Sequence, residues 1–300
     1  MILRDLARPS KGLTLVELLV ALGIMAALIS ILMPAIFASR ERAREIQCTN
    51  KLRQIGIGVA NFHSQMGRLP GVQTFWADLS PSLELGLEQN ANQSRDQLYA
   101  KAEAFLTCPS ETLSDPGSRI NYFLNNGSAI NPRNGSADFD SIAKPPPWRH
   151  LSFRDFTDGL SNTAYMSERM RLDLKTDDRC FWKNGGTSQF GQGEERGLFL
   201  DLNEQFELKL LKKQPNYIYF SDQGLDNYFY YDHLWQPNRP IVYGLVIARY
   251  DLVIPPSSSH SSGVNLLFSD GSIRPIYDTI DHVMWLAIGS RNGGESESEK

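Results

Sequence analysis

Cysteine is scarce in this chain: 300 residues contain three, Cys48, Cys108 and Cys180. None forms a C-x-x-C pair and no histidine cluster stands at ligand spacing, so local sequence offers no structural zinc site. Catalytic signatures are missing too. There is no G-x-S-x-G, no H-E-x-x-H and no G-x-x-x-x-G-K-[ST], and the glycine cluster NGGTSQFGQG lacks the lysine and helix of a nucleotide loop. The chain therefore reads as a non-enzyme. A basic excess is absent as well: 30 Lys and Arg face 34 Asp and Glu, a net charge of −4. Without a positive stripe to displace phosphate counterions, nucleic acid is not an expected partner. No internal repeat is present.

What the chain does have is enough apolar residue, 41% hydrophobic and 10% aromatic, for a real core. Much of it is concentrated near the N-terminus. From Leu13 to Met33 the only polar side chains are Thr14, Glu17 and Ser30, and a helix of that length covers about 30 Å, the thickness of a bilayer core. Arg4, Arg8 and Lys11 precede the run and favour a cytoplasmic N-terminus. Arg40, Arg42 and Arg44 follow it, but they alternate with Glu41 and Glu45 as on a solvated helix face. A cleaved secretory signal would end in an A-x-A site, and PAIFASR is a poor match. A plain membrane anchor explains the hydrophobicity but not Glu17, because a carboxylate in the apolar part of a spanning helix costs about 2.5–3.5 kcal/mol. Such a group needs a partner.

Beyond Pro34 the helix continues, since Cys48, Leu52, Ile55, Val59 and Phe62 recur at spacings of four and three and must face a partner surface. Pro34 bends such a helix without ending it. The glycines of IGIG, Ile55 to Gly58, read as close-packing positions, and HSQMGRLPG stops the helix. Turns and short strand-like runs follow: INYFLNNGS, FTDGLSNTAYMSER, GLFLDL, NYIYF and PIVYGLVIARYDLVI. LYAKAEAFLTCPSE reads as a short helix delivering Cys108 to a turn, and IAKPPPWRH as a stiff extended connector. GVNLLFSDGSIRPI is the strongest hairpin signature, and TIDHVMWLAIGS is a last helix. The sum is an α+β fold in which one long helix packs on an antiparallel sheet.

Two resemblances sharpen this outline. Lys11-Gly12 followed by Leu13-Thr14-Leu15-Val16-Glu17 and an unbroken apolar run resembles the processing signal of type IV prepilins and type II secretion pseudopilins. That resemblance implies cleavage by prepilin peptidase between Gly12 and Leu13 and methylation of the new N-terminus. It also implies a role for Glu17 in meeting the terminal amine of a like or related subunit during assembly. Leu13 departs from the family's usual phenylalanine. The segments CTNKLRQIGIGVANFHSQMGRLPG, FTDGLSNTAYMSER and HSSGVNLLFSDGSIRPI, with nine residues between His260 and the pair Asp270-Gly271, are similar to a bacterial pseudopilin-like family, domain of unknown function 1559. The implied organisation is a basic leader over 1–12, a transmembrane segment over 13–34 and an extracytoplasmic helix over 35–66. A globular domain over 67–290 and a disordered tail over 291–300 complete it. The implied location is the inner membrane, with the domain outside the cytoplasm and, where subunits assemble, in a surface filament.

Several residues invite a site. Cys48 and Cys108 can pair in a disulfide outside the cytoplasm; alternatively Cys48, on the apolar stripe, is a buried free thiol. Cys180 has no evident partner. Asp158, Asn162 and Glu168 can offer oxygens to calcium, as some pseudopilins do, but the spacing is not that of an EF-hand and an Asx turn explains it as well. His260 and Asp270 suit acid–base or metal chemistry, yet Asp270-Gly271 also makes a hairpin turn and His260 can anchor a strand start. Two functions follow: a pseudopilin-like structural subunit, or a tethered cation- or carbohydrate-binding domain built on the His260/Asp270 and Asp158/Glu168 regions. No cofactor other than calcium is implied.

Overall fold

A computed structural model describes residues 14–72, 74–85, 104–111, 120–128, 134–137, 150–170, 180–183, 230–239, 241–246, 249–261 and 263–294; 180–183, 241–246 and 249–253 are described by backbone alone. The runs GLFLDL and NYIYF, the connector IAKPPPWRH up to Arg149, and residues Gly12 and Leu13 lie outside these ranges. The chain divides into two units, Met1–Arg44 and Glu45–Lys300.

Helix α1 (Leu15–Met66) passes through Pro34 without interruption and ends where Gly67 takes a positive φ of 67°. Up to Phe37 its large apolar side chains are exposed. In the second unit the pattern becomes one-sided, and Cys48, Leu52, Ile55, Gly58, Val59 and Phe62 are buried. This is the stripe expected from the four-three spacing. A short helix α2 (Phe75–Leu83) adds Phe75, Trp76 and Leu79 to the same core.

The stripe and α2 share their core with a five-stranded sheet formed by β1 (Tyr122–Asn125), β2 (Ala164–Glu168), β4 (Tyr230–Tyr231), β7 (Val264–Phe268) and β8 (Ile273–Ile276), in the order β4-β1-β2-β7-β8. Three of its four pairings are antiparallel. The sheet is thus the mainly antiparallel one expected, with one parallel edge where the two-residue β4 runs alongside β1. A parallel neighbour needs a long crossover rather than a hairpin, and the chain makes that excursion between β2 and β4. β3 (Cys180–Lys183) lies in that stretch and joins a second sheet with β5 (Ile241–Val246) and β6 (Arg249–Val253), both after β4 in the chain, with β3 parallel to β5 and β5 antiparallel to β6.

The β7–β8 hairpin sits where SDGS predicts it, with Gly271 at φ 85° and the Gly271 N–H donating to Phe268 O at 2.9 Å. A glycine on α1 meets it: a Cβ at Gly56 would lie 3.0 Å from Leu267 Cδ1, so the missing side chain lets helix and strand approach. Helix α3 (His282–Gly289) starts on Asp281, whose carboxylate accepts the N–H groups of Val283 and Met284, and buries Trp285 completely. Residues 291–294, just after α3, bond to the turn at Asp158. Asp158 N–H donates to Arg291 O, and the Gly293 and Gly294 N–H groups donate to the Asp158 carboxylate at 2.7 and 3.1 Å.

Gly289 ends α3 directly against His233, where an added Cβ would stand 2.5 Å from His233 Cβ and Cγ. Overpacking of this kind costs about 1–3 kcal/mol. Gly289→Ala should therefore unfold earlier than wild type in thermal or urea titrations of the detergent-solubilised chain; an unchanged midpoint would mean that His233 can move aside.

Candidate functional site

The first site is the start of α1. Thr14 is its N-cap and Glu17 its third helical residue, so T-x-x-E forms a capping box. Glu17 Oε2 accepts from the Thr14 N–H at 2.9 Å and from the Thr14 hydroxyl at 2.8 Å, and the Glu17 N–H donates to Thr14 Oγ1 at 3.3 Å. The motif is readable in the sequence, but the membrane pattern around it draws attention to the charge rather than to the spacing. A carboxylate also suits the positive end of the helix dipole. Among the described residues, α1 is the one helix long and apolar enough to cross a membrane.

The second site lies inside the globular unit, at the far end of β2. Cys48, on the buried stripe of α1, is joined to Cys108 by a disulfide that closes 60 residues of chain. Cys108 arrives after a helical turn at 104–106 and is fixed there because its N–H donates to the Asn121 side-chain oxygen at 2.9 Å. His260 Nε2 stands 3.5 Å from Cys108 Sγ and 3.5 Å from Glu168 Oε2. The other Glu168 oxygen, Oε1, accepts the backbone and side-chain N–H groups of Asn265 at 2.9 and 3.0 Å. Exposures are 0% for Cys48, 8% for Cys108, 2% for Glu168 and 4% for His260. One ligand-capable atom from each of the four lies within 4.8 Å of all the others, and among the described residues this is the group of cysteines, histidines and carboxylates gathered so closely. A small cleft bordered by Ser110, Asn121, Arg169 and Ser258 reaches Cys108 and Glu168.

The remaining candidates are elsewhere. Both Asp158 oxygens are taken by the Gly293 and Gly294 N–H groups, and Asn162 donates its side-chain N–H to the Asp158 carbonyl at 2.9 Å. Asp158 and Asn162 precede β2 whereas Glu168 ends it, so the three do not form one calcium-type oxygen set. Asp270 is exposed in the β7–β8 turn and accepts the Ser272 N–H at 2.8 Å, which gives it the turn role and separates it from the His260 cluster.

A third buried group, not visible in the sequence, surrounds Asp232 and His233. Asp232 accepts the Ile254 N–H at 2.6 Å and the Leu234 N–H at 3.1 Å. Burial nonetheless pushes its carboxyl up to about 7, against the opposing pull of those N–H groups and the Arg169 charge. His233 stacks on Trp285 with ring centroids 3.9 Å apart and stands 3.0 Å from Trp285 O and 3.1 Å from the Tyr231 hydroxyl. Burial lowers its imidazole to about 3, with the Trp285 carbonyl opposing. Every partner is a backbone group or a core side chain, so this is a structural network. Only after the chain has folded back do residues 231–233, 254 and 285 meet, so no local pattern announces it.

A long apolar helix with a capped carboxylate at its start, leading into an α+β unit whose sheet shares a core with the helix's second half, defines a pilin-like, membrane-anchored protein. The chain belongs to the family described as "Protein of unknown function (DUF1559)", whose model matches residues 38–82 and 73–282. Residues 7–33 match a second model, the prokaryotic N-terminal methylation motif, which marks a type IV pilin- or pseudopilin-like protein processed by prepilin peptidase. No curated protein and no solved structure matches the chain.

The two buried titrations oppose each other. Unfolded Asp232 loses its proton near 3.8 but folded Asp232 only near 7, so the stability it contributes is present below pH 4 and lost as pH rises toward 7. Unfolded His233 gains a proton near 6.5 and folded His233 only near 3, so its contribution is present above pH 6.5 and lost as pH falls toward 3. Relative to wild type, Asp232→Asn should gain stability as pH rises from 4 to 7, and His233→Gln should lose stability as pH rises from 3 to 6.5. Each limiting slope is about 1.4 kcal/mol per pH unit. Urea unfolding of the three proteins across this range checks both signs.

Proposed function

We propose that this protein is a structural subunit of a pilin-like assembly in the bacterial envelope, linked to a type II secretion or type IV pilus-like system. On this reading it is cut between Gly12 and Leu13 and carries its α+β domain outside the cytoplasm. The observation that carries the reading is Glu17, a single carboxylate in an apolar, exposed helical segment.

Cleavage after Gly12 creates an ammonium one residue ahead of the cap residue Thr14. That places a positive charge at the positive end of the α1 dipole, an unfavourable position that a carboxylate relieves. The capping box uses Glu17 Oε2, and Oε1 is the oxygen we assign to the ammonium of a neighbouring subunit. In lipid such a pair attracts strongly, while either member alone is costly, so it sets the register between subunits. Before cleavage the basic leader holds Lys11 at the membrane face and no terminal amine reaches Glu17. Assembly is thereby made to wait for processing.

Intact mass and N-terminal sequencing of the membrane-extracted protein should show a chain beginning at methylated Leu13, and a chain beginning only at Met1 would overturn the reading. Glu17→Val should still insert in the membrane but lose cross-links between subunits in intact cells. Cross-linking at the wild-type level would remove Glu17 from assembly.

A further inference from the structure

The Cys48–Cys108 disulfide accounts for two of the four side chains that meet at the end of β2, but not for the other two. Disulfides are ordinarily buried among apolar groups and need neither an imidazole nor a carboxylate. Here His260 aims the same nitrogen, Nε2, at both Cys108 Sγ and Glu168 Oε2. One ring nitrogen, one sulfur and one carboxylate oxygen therefore face a single small space. Side chains that converge in this way are arranged as ligands around a common centre.

The spacing is that of a tetrahedral ion. Zinc-to-ligand bonds of about 2.0–2.3 Å imply ligand-to-ligand edges of roughly 3.3–3.8 Å in a tetrahedron. His260 Nε2 stands 3.5 Å from Cys108 Sγ and 3.5 Å from Glu168 Oε2. The sulfur–sulfur edge is a covalent bond that reduction would open, and the four ligand atoms already lie within 4.8 Å of one another. The surroundings are those of a ligand set as well. Glu168 is held through Oε1 by two N–H groups of Asn265, which leaves Oε2 directed inward. The His260 backbone is fixed by its N–H donating to Ser258 Oγ at 3.1 Å, and the Asn121 side chain fixes Cys108. Such supporting hydrogen bonds orient metal ligands. A small cleft borders the group at Cys108 and Glu168.

We propose that Cys48, Cys108, Glu168 and His260 form a redox-gated site for one zinc-class divalent ion, closed while the disulfide is intact and opened by a dithiol reductant. The exchange is balanced. The reductant's two thiols displace the cysteine sulfurs in turn, the reductant leaves as its own disulfide, and Cys48 and Cys108 become thiols. Ion binding then expels their two protons, giving two thiolates, a neutral imidazole and a carboxylate around the ion. Thiolate and imidazole ligands select zinc over calcium or magnesium. The site is independent of the assembly reading and joins α1, β2 and the segment ahead of β7 in either redox state.

The test uses the full-length chain in detergent with Cys180→Ser, which removes the third thiol. After dithiol treatment and removal of reductant without air, Co2+ titration should show one equivalent bound, with tetrahedral d–d bands and thiolate-to-cobalt charge transfer, displaced by Zn2+. The oxidised chain should bind none, and His260→Gln should weaken binding of the reduced chain at least tenfold. If reduction loosens the fold and Co2+ restores the circular dichroism, the site is supported equally. Absence of the thiolate–cobalt band from the reduced chain, folded or not, overturns the proposal, as does equal uptake by the oxidised chain or by His260→Gln.

Discussion

The buried face of α1, with Leu52, Ile55, Val59 and Phe62 directed into the core, is the surface on which the globular unit is organised. α2 closes against it at Gly58, where a Cβ would meet Leu83 at 3.4 Å, and the β7–β8 hairpin closes against it at Gly56. Each apolar side chain buried there is worth about 1.5–3 kcal/mol. The same helix must be apolar all round where lipid is its solvent. One element thus answers to two solvents, and the change from an all-round to a one-sided pattern marks where the chain stops being an anchor and becomes a core helix.

The disulfide is a second fastening on that helix. It ties Cys48 to a segment that enters β1, while Lys51 one turn on donates to the carbonyls of Ala104 and Thr107, both at 2.7 Å. By closing 60 residues of loop it removes disorder from the unfolded chain, an effect of about 2–4 kcal/mol. The His260–Glu168 pair is built against this fastening. Its position explains why the segment ahead of β7 can be irregular and still be held: the serine-rich run of 257–259 is anchored by Met170 N–H donating to Ser257 O and by His260 itself.

The Asp232–His233 network is a second buried polar group, with Asp232 2% and His233 0% exposed. Asp232 holds two loop N–H groups that no strand satisfies, and His233 carries Trp285 on its face. The cost of burying these groups appears as two displaced titrations of opposite sign. Their stability effects offset one another over mildly acidic pH, so the fold keeps a polar core there without becoming strongly pH-sensitive.

Periodicity and spacing alone determined the membrane segment, the buried stripe of α1, the β7–β8 hairpin and the terminal helix, because each depends on neighbours within a few turns of chain. They also held the Thr14–Glu17 cap, whose T-x-x-E spacing lies within a single helical turn. Tertiary structure decided the rest. Asp158, Asn162 and Asp270 became turn and strap residues, since the Asp158 and Asp270 carboxylates accept nearby N–H groups and Asn162 donates its side-chain N–H to the Asp158 carbonyl. The parallel β4 edge needed a crossover that no local pattern encodes. Cys48, Cys108, Glu168 and His260 lie as much as 212 residues apart by their numbers (260 − 48). Such a group has no sequence period, and only the packing of helix, strand and loop around one core brings it within 4.8 Å.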